Sequence, residues 1–384
     1  MSNLKSLTRR PEFAAFIGTL FVFLFFSWFG RPTFTTPLVT AGWLNVAAEL
    51  GLIALPVALV MVAGHLDLSV GSILAAGAMT YAIITGYFKL PDLIGLPAGL
   101  AVGTFFGYLN GLIVTKTKLS SFIVTLAMNF GLRGLVFGIT RLTTSTVLVS
   151  VEVSETVRGT FGGRIFPSME RTLNQLTGSE KFFLERLNFD IRPFSTFENV
   201  IVIWAIMAII VSWILYKTKY GNWIFALGGD ETFARAAGVP VEKVTIGLFM
   251  GSGFGAALLG VSQVALFGSA QVSAGQSYVF FSIVAVVVGG VLLTGGYGSP
   301  VGVIFGTLTF AIVSQGIYST GWDSDWSSLI LGLLLLIAVF TNNTFRRLAL
   351  SGDTVVTKNT DVKPTQRIEI ESDELNVNEE ATND

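Results

Sequence analysis

Residues 245–322 read TIGLFMGSGFGAALLGVSQVALFGSAQVSAGQSYVFFSIVAVVVGGVLLTGGYGSPVGVIFGTLTFAIVSQGIYSTGW and contain no Asp, Glu, Lys or Arg. One crossing of a bilayer needs about 20 apolar residues, so this stretch is far longer than a single span. Two polar or Gly-rich breaks divide it, GSAQVSAGQS (268–277) and GGYGSP (295–300). Both have the composition of turns. A membrane β-barrel would instead show alternating segments of about ten residues. The fold class is therefore all-α, a polytopic membrane protein.

The rest of the chain agrees. Of 384 residues, 52% are hydrophobic and 13% charged, roughly half the charge of an average soluble domain. Apolar runs at about 13–29, 46–64, 68–88, 93–115, 121–140, 200–216, 245–267, 279–293, 301–318 and 327–341 predict about ten transmembrane helices, some short enough to be tilted or partly re-entrant. The amino-terminal run is Phe-rich and no small-residue cleavage pattern follows it, so it reads as an uncleaved first span. Net charge is −1, which gives nucleic-acid binding no electrostatic support. There is no cysteine, hence no disulfide or thiolate metal site. That usage fits a bacterial inner membrane.

Basic residues in short loops set the orientation. Lys5, Arg9 and Arg10 precede the first span, Lys116 and Lys118 follow the fourth, and Lys217, Lys219, Arg235 and Lys243 follow the sixth. Arg346 and Arg347 follow the tenth. Ten alternating spans put all of them on one side, the cytoplasmic one, with both termini. The expected organisation is a cytoplasmic N-terminus (1–12), a transmembrane domain (13–350) with a periplasmic insert (142–197), and an acidic tail (351–384) too polar to bury a core.

Between two apolar stretches lies GGDETFARAAGVPVEKV (228–244). Helical spacing puts Phe233, Ala234 and Ala237 on one side, with Asp230, Glu231 and Arg235 largely on the other. A helix this short needs something to pack against: the membrane surface, the rest of the protein or a soluble partner. An ordinary interhelical loop is the plain alternative.

Other polar residues stand out against apolar sequence. In GHLDLSVGS (64–72), Asp67 and Ser69 suit a helix cap or, less readily, a role in solute passage or gating. His65 is the only histidine, and a lone His makes no metal site. Asn129 and Arg133 stand four residues apart on one helix face. They either tie helices together or line a polar route, and Asn110 poses the same choice. Gly99, Gly103, Gly107 and Gly111 form a smooth ridge for close helix packing, within the chain or between subunits. Pro56 lies inside the second span, where it favours a kink. No GxxxxGK[ST] phosphate loop, nucleophile elbow or HExxH occurs. The chain is read as having no catalytic residues, metal or cofactor, and ATP hydrolysis by phosphate-loop chemistry would belong elsewhere.

Four stretches in order resemble the permease subunits of bacterial ABC importers for monosaccharides of the ribose/xylose/galactose type. GHLDLSVGS is similar to that family's GGIDLSVGS, and LNGLIVTKTKLSSFIVTLAMNFGLRGL to its NGLLVT…PSFIVTLG…RGL. YGNWIFALGGDETFARAAGVPVEKV is similar to its FGRYIYAIGGN-E-AAR-AGI segment, and VVVGGVLLTGGYGSPVGVIFGTL to its glycine-rich AVVIGG…GG.GS…G. His65 and Tyr297 depart from the family's usual Gly and Arg. The resemblance implies a type II ABC-importer-like permease that pairs with a second copy or with a similar permease. It would receive sugar from a periplasmic binding protein and be driven by cytoplasmic ATPase subunits. It also implies that 228–244 carries the coupling helix, with Gly229, Asp230, Glu231, Ala234, Arg235 and Gly238 at the ATPase contact. Asp67, Ser69, Asn110, Asn129 and Arg133 are the candidates for the pathway or gate. The alternatives are a nucleoside or branched-chain amino-acid ABC permease, or a stand-alone secondary carrier.

Overall fold

The computed structural model describes residues 11–117, 119–165 and 196–323, together with 325–326, 329–330, 332–333 and 336. The expected tail, most of the tenth span, much of the insert and most of the N-terminal segment lie outside the described residues. Among the described residues, eight helices are long and apolar enough to cross a membrane.

The spans follow one another with short connections. They are α1 (Pro11–Phe29), α2 (Pro37–Val62), α3 (Val70–Tyr81, extended by a π-helical turn Ala82–Tyr87), α4 (Asp92–Thr117) and α5 (Ser121–Thr144). Strand β1 (Leu148–Ser150) comes next. After the insert follow α6 (Val200–Lys217), α7 (Lys219–Gly229), α8 (Glu231–Ala236) and α9 (Val241–Phe267). Strand β2 (Ser269–Gln271), α10 (Tyr278–Val288) and α11 (Pro300–Thr320) come next. Local chemistry sets several ends. Pro37 and Pro300 open α2 and α11, where a missing N–H costs nothing. Left-handed Gly268 and Gly321 close α9 and α11. Pro56 sits inside a continuous α2.

The core is built from α2, α3 and α9, whose residues are mostly buried, while α1, α5 and α6 form the periphery. The glycine ridge of α4 packs inside the chain. A Cβ on Gly103 would lie 2.7 Å from the Gly253 carbonyl oxygen of α9, and one on Gly111 would lie 2.6 Å from Ile246 Cα. Gly99 meets the Gly77 carbonyl of α3 and Gly107 that of Phe249. Small residues thus let three spans approach backbone to backbone, where lipid supplies no hydrophobic drive.

One expected span differs. The run 279–293 is helical only to Val288 and continues without helix to Ser299. Gly290, Gly295 and Gly296 all take positive φ, a conformation that stops a helix and that glycine adopts at little cost. This segment is helical over its first part and then runs through turns to Ser299, with Val291, Leu292, Gly295, Gly298 and Ser299 buried while Leu293, Thr294 and Tyr297 are exposed.

At one end of the bundle β1 pairs antiparallel with β2, Leu148 opposite Gln271. The start of the insert packs there: Val149, Val151 and Val153 are buried, and Gly162 abuts the Ala265–Leu266 backbone. At the opposite end lie α7, α8 and the breaks before α3 and α11.

Candidate functional site

That opposite end gathers three of the glycine-containing segments singled out in the sequence. Gly64 of GHLDLSVGS, Gly228 at the end of α7 and the Gly295–Gly296 pair meet at backbone distance. Gly296 N–H donates to the Val62 carbonyl at 2.8 Å, and a Cβ on Gly295 would come within 2.7 Å of Gly64 Cα. Any side chain at Gly295 would also be strained, since its φ is +81°. The joint connects the end of α2, the start of α8 and the non-helical chain before α11.

Helix α8 hangs from this joint. Asp230 is its N-cap and accepts the Phe233 N–H on Oδ1 at 2.9 Å, satisfying one free amide. Gly238, at φ +81°, ends the turn that follows. Ala234 alone in the helix is fully buried and fastens it to the bundle. Glu231 and Arg235 form an exposed i,i+4 pair at 3.1 Å, worth only a few tenths of a kcal/mol. Gly229 is exposed, with open space around it. Phe233 and Ala237 do not join Ala234, contrary to the helical-wheel expectation. Phe233 is 70% exposed, because the six-residue helix turns only its Ala234 edge inward. An exposed Phe between charged residues is an uncovered contact point.

His65 lies beside this helix, its Nε2 3.5 Å from Thr245 Oγ1 and its ring 5.9 Å from that of Phe249. Burial lowers its pKa below the ordinary imidazole value, and the nearby Glu231 carboxylate opposes that shift.

Just inward, Asp67 is entirely buried. Its Oδ1 accepts from the Ser69 amide at 2.9 Å and the Ser69 hydroxyl at 2.6 Å, and its Oδ2 accepts from Ser252 of α9 at 2.7 Å. Asn110 of α4 donates to Ser69 Oγ at 2.7 Å. Thr125 of α5 accepts from the Leu68 amide at 3.1 Å, and its hydroxyl proton faces the Ser121 carbonyl at 2.7 Å with the Leu66 carbonyl at 3.2 Å. Asp67, Ser69 and Asn110 therefore form one buried polar knot between α3, α4 and α9, with Asn110 Oδ1 left without a partner among the described residues. Ser69 stands at the N-cap of α3, yet its hydroxyl turns to Asp67 and caps no amide. Ser252 was not singled out in the sequence, where nothing distinguishes it from other serines in apolar runs.

Asn129 and Arg133 belong to a different surface. Arg133 is exposed halfway along α5, and Asn129 is half-buried with Oδ1 unpaired. Gly131, Gly134 and Gly138 on the same helix have open space beside them. A cation exposed to lipid at mid-helix would cost about 2.5–3.5 kcal/mol, so this face calls for a polar neighbour. The five pathway candidates thus fall into two groups, three in the buried knot and two on the open face of α5.

Comparison with known proteins agrees with this architecture. The family described as branched-chain amino acid transport system / permease component matches residues 39–339. The chain is similar to the fructose import permease protein of Rhizobium meliloti, 31% identical over 80% of this chain and 78% of that protein. It is similar to the ribose import permease protein of Escherichia coli K12, 31% identical over 76% of this chain and 81% of the relative. The xylose transport system permease protein of Haemophilus influenzae is 28% identical over 77% of this chain and 86% of its own length. No solved structure matches the chain at a significant level.

Proposed function

Because the chain belongs to the branched-chain amino acid transport system / permease component family, we propose that it is the membrane subunit of an ATP-driven importer for a monosaccharide. The observation that carries this reading is the match, across at least 76% of the chain, to permeases named for fructose, ribose and xylose import. The family's name mentions amino acids, but these relatives favour a sugar cargo.

In this reading the end bearing α8 is cytoplasmic, as are both termini, and the end bearing the β1–β2 pair faces the periplasm. A periplasmic binding protein delivers the sugar there. Two ATPase subunits dock on α8, with Phe233 as apolar anchor and Glu231, Arg235, Gly229, Asp230 and Gly238 around it. Ala234 ties the helix to the permease. Movement of α8 passes through the glycine joint to the half-helical span, a lever of the hinge type. Arg133 and Asn129 face a second permease copy across the solute route. Asp67, Ser69 and Asn110 hold the helices beside that route and do not touch solute.

The test is paired substitution in cells that depend on the importer. Arg235→Glu and Phe233→Ala are expected to abolish uptake of radiolabelled sugar while membrane amounts stay at the parent level. Full uptake by both variants would make 228–244 an ordinary loop.

A further inference from the structure

One carboxylate inside a span remains unused by the roles above. Glu49 lies in α2, within the apolar sequence AAELGLIALP. Its Oε2 accepts from the Tyr278 hydroxyl at 2.6 Å and from Gln263 Nε2 at 3.1 Å, and Gln263 Nε2 also reaches Tyr278 Oη at 3.1 Å. One turn earlier Asn45 holds the chain before α6: its Oδ1 accepts the Glu198 amide at 3.1 Å and its Nδ2 donates to the Thr196 carbonyl at 3.1 Å. Glu198 faces Glu49 and Arg164. Its carboxyl is pushed up to about 7 by burial and then by the Glu49 charge, with Arg164 opposing. The two carboxylates therefore share a poorly hydrated space.

Placement supports a ligand role. Gln263 is four residues from the end of α9, about 6 Å of helix. Tyr278 is the first residue of α10, and Glu198 lies two residues before α6. The cluster thus sits just inside the β1–β2 end of the bundle. Unlike Asp67, which is sealed, Glu49, Gln263, Tyr278 and Glu198 are all partly exposed. Among the described residues, neither Glu49 Oε1 nor Gln263 Oε1 accepts a hydrogen bond. A carboxylate at this depth is costly.

We propose that Glu49, Gln263 and Tyr278, with Glu198 at the rim, form a binding station for a polyhydroxylated solute just inside the β1–β2 end of the bundle. Free acceptors outnumber free donors, which suits a ligand offering several hydroxyl donors. The phenol ring adds an apolar face for sugar C–H groups. A metal ion fits less well. Among the described residues no three acidic or histidine side chains group together, and Arg164 already stands at Glu198. The inference rests on the sugar-import reading and deepens it.

Saturation-transfer NMR on the purified permease in nanodiscs, with D-fructose, D-ribose and D-xylose as probes, tests it without requiring transport. Transfer to at least one sugar is expected. It should weaken about tenfold in the near-isosteric Glu49→Gln, the loss of one charge-assisted hydrogen bond. Gln263→Leu provides an independent variant at the other free acceptor and should weaken transfer likewise. Equal transfer in both variants, or none to any probe in the parent, overturns the station, as does stabilisation by sodium that Glu49→Gln abolishes. Uptake of the three sugars by the intact complex in cells separates the two claims. Uptake without transfer removes the station alone, whereas no uptake of any probe removes the import reading too.

Discussion

Asp67 is the acid that the sequence places most conspicuously in apolar surroundings, and its geometry makes a definite prediction. Asp67→Ala removes the acceptor for the Ser69 amide at 2.9 Å, the Ser69 hydroxyl at 2.6 Å and the Ser252 hydroxyl at 2.7 Å. Hydrogen bonds to a charged acceptor contribute about 1.5–3 kcal/mol each. The Ser252 hydroxyl, inside α9, has a helix carbonyl one turn back to turn to, as Ser72 already does with the Ser69 carbonyl, whereas Ser69 begins α3 and has no helical turn before it. The buried amide has no such recourse, so the expected loss is about 3 kcal/mol, well below the sum of the three bonds. Asp67→Asn keeps the shape and the Oδ1 acceptor, and its amide group can donate to Ser252. That loss should be about 1 kcal/mol. Thermal unfolding in detergent, read beside uptake in cells, measures both. The account expects Asp67→Ala to unfold at clearly lower temperature with reduced uptake, and Asp67→Asn to remain close to the parent in both. If both variants unfold at the parent's temperature yet neither transports, the charge acts in transport itself and the knot is not structural.

Two further outcomes follow from the geometry. The chain has no native cysteine, so Thr156→Cys, at an exposed position near the β1–β2 pair, should react with a membrane-impermeant maleimide in intact cells. Reaction only in inverted vesicles would reverse the topology. The raised Glu198 carboxyl, about 7 against an ordinary 4.5, means the folded protein holds a proton that the unfolded chain has already released. Stability should therefore fall as pH rises between those values and level off above them. Melting in detergent from about pH 5 to about pH 8 should show this slope, and Glu198→Gln should remove that part of it. A slope of opposite sign in the parent would contradict the placement of Glu198 beside Glu49.

What the sequence revealed, and what it hid, has physical reasons. The charge-free run 245–322 left no fold but a helical membrane bundle, and the Gly99–Gly111 spacing announced a close contact that the structure places against α9 and α3. Hydropathy could not rank the spans by depth in the bundle: α1 and α2 are both strongly apolar, yet the buried share is 22% in one and 83% in the other. In lipid, both the core and the surface are apolar. The run 279–293 looked like a span because its glycines count as apolar, while the positive φ of Gly290, and beyond the run of Gly295 and Gly296 where they pack against Gly64 and Gly228, is invisible to hydropathy. Phe233 was turned to the wrong side because a six-residue helix takes its orientation from Ala234 and the joint, not from amphipathic periodicity. Glu49 passed unnoticed since Gln263 and Tyr278 stand more than 200 residues away along the chain. One signal for it was available: an acid inside an apolar run, the same kind that marked Asp67.

The source of energy tests the account most directly. The permease, purified with its ATPase and binding protein and sealed in proteoliposomes with the exposed face of α8 inward, should accumulate labelled sugar only when the lumen contains hydrolysable ATP. Accumulation by the permease alone, driven by a proton or sodium gradient without ATP, would contradict it and leave α8 with no partner to couple.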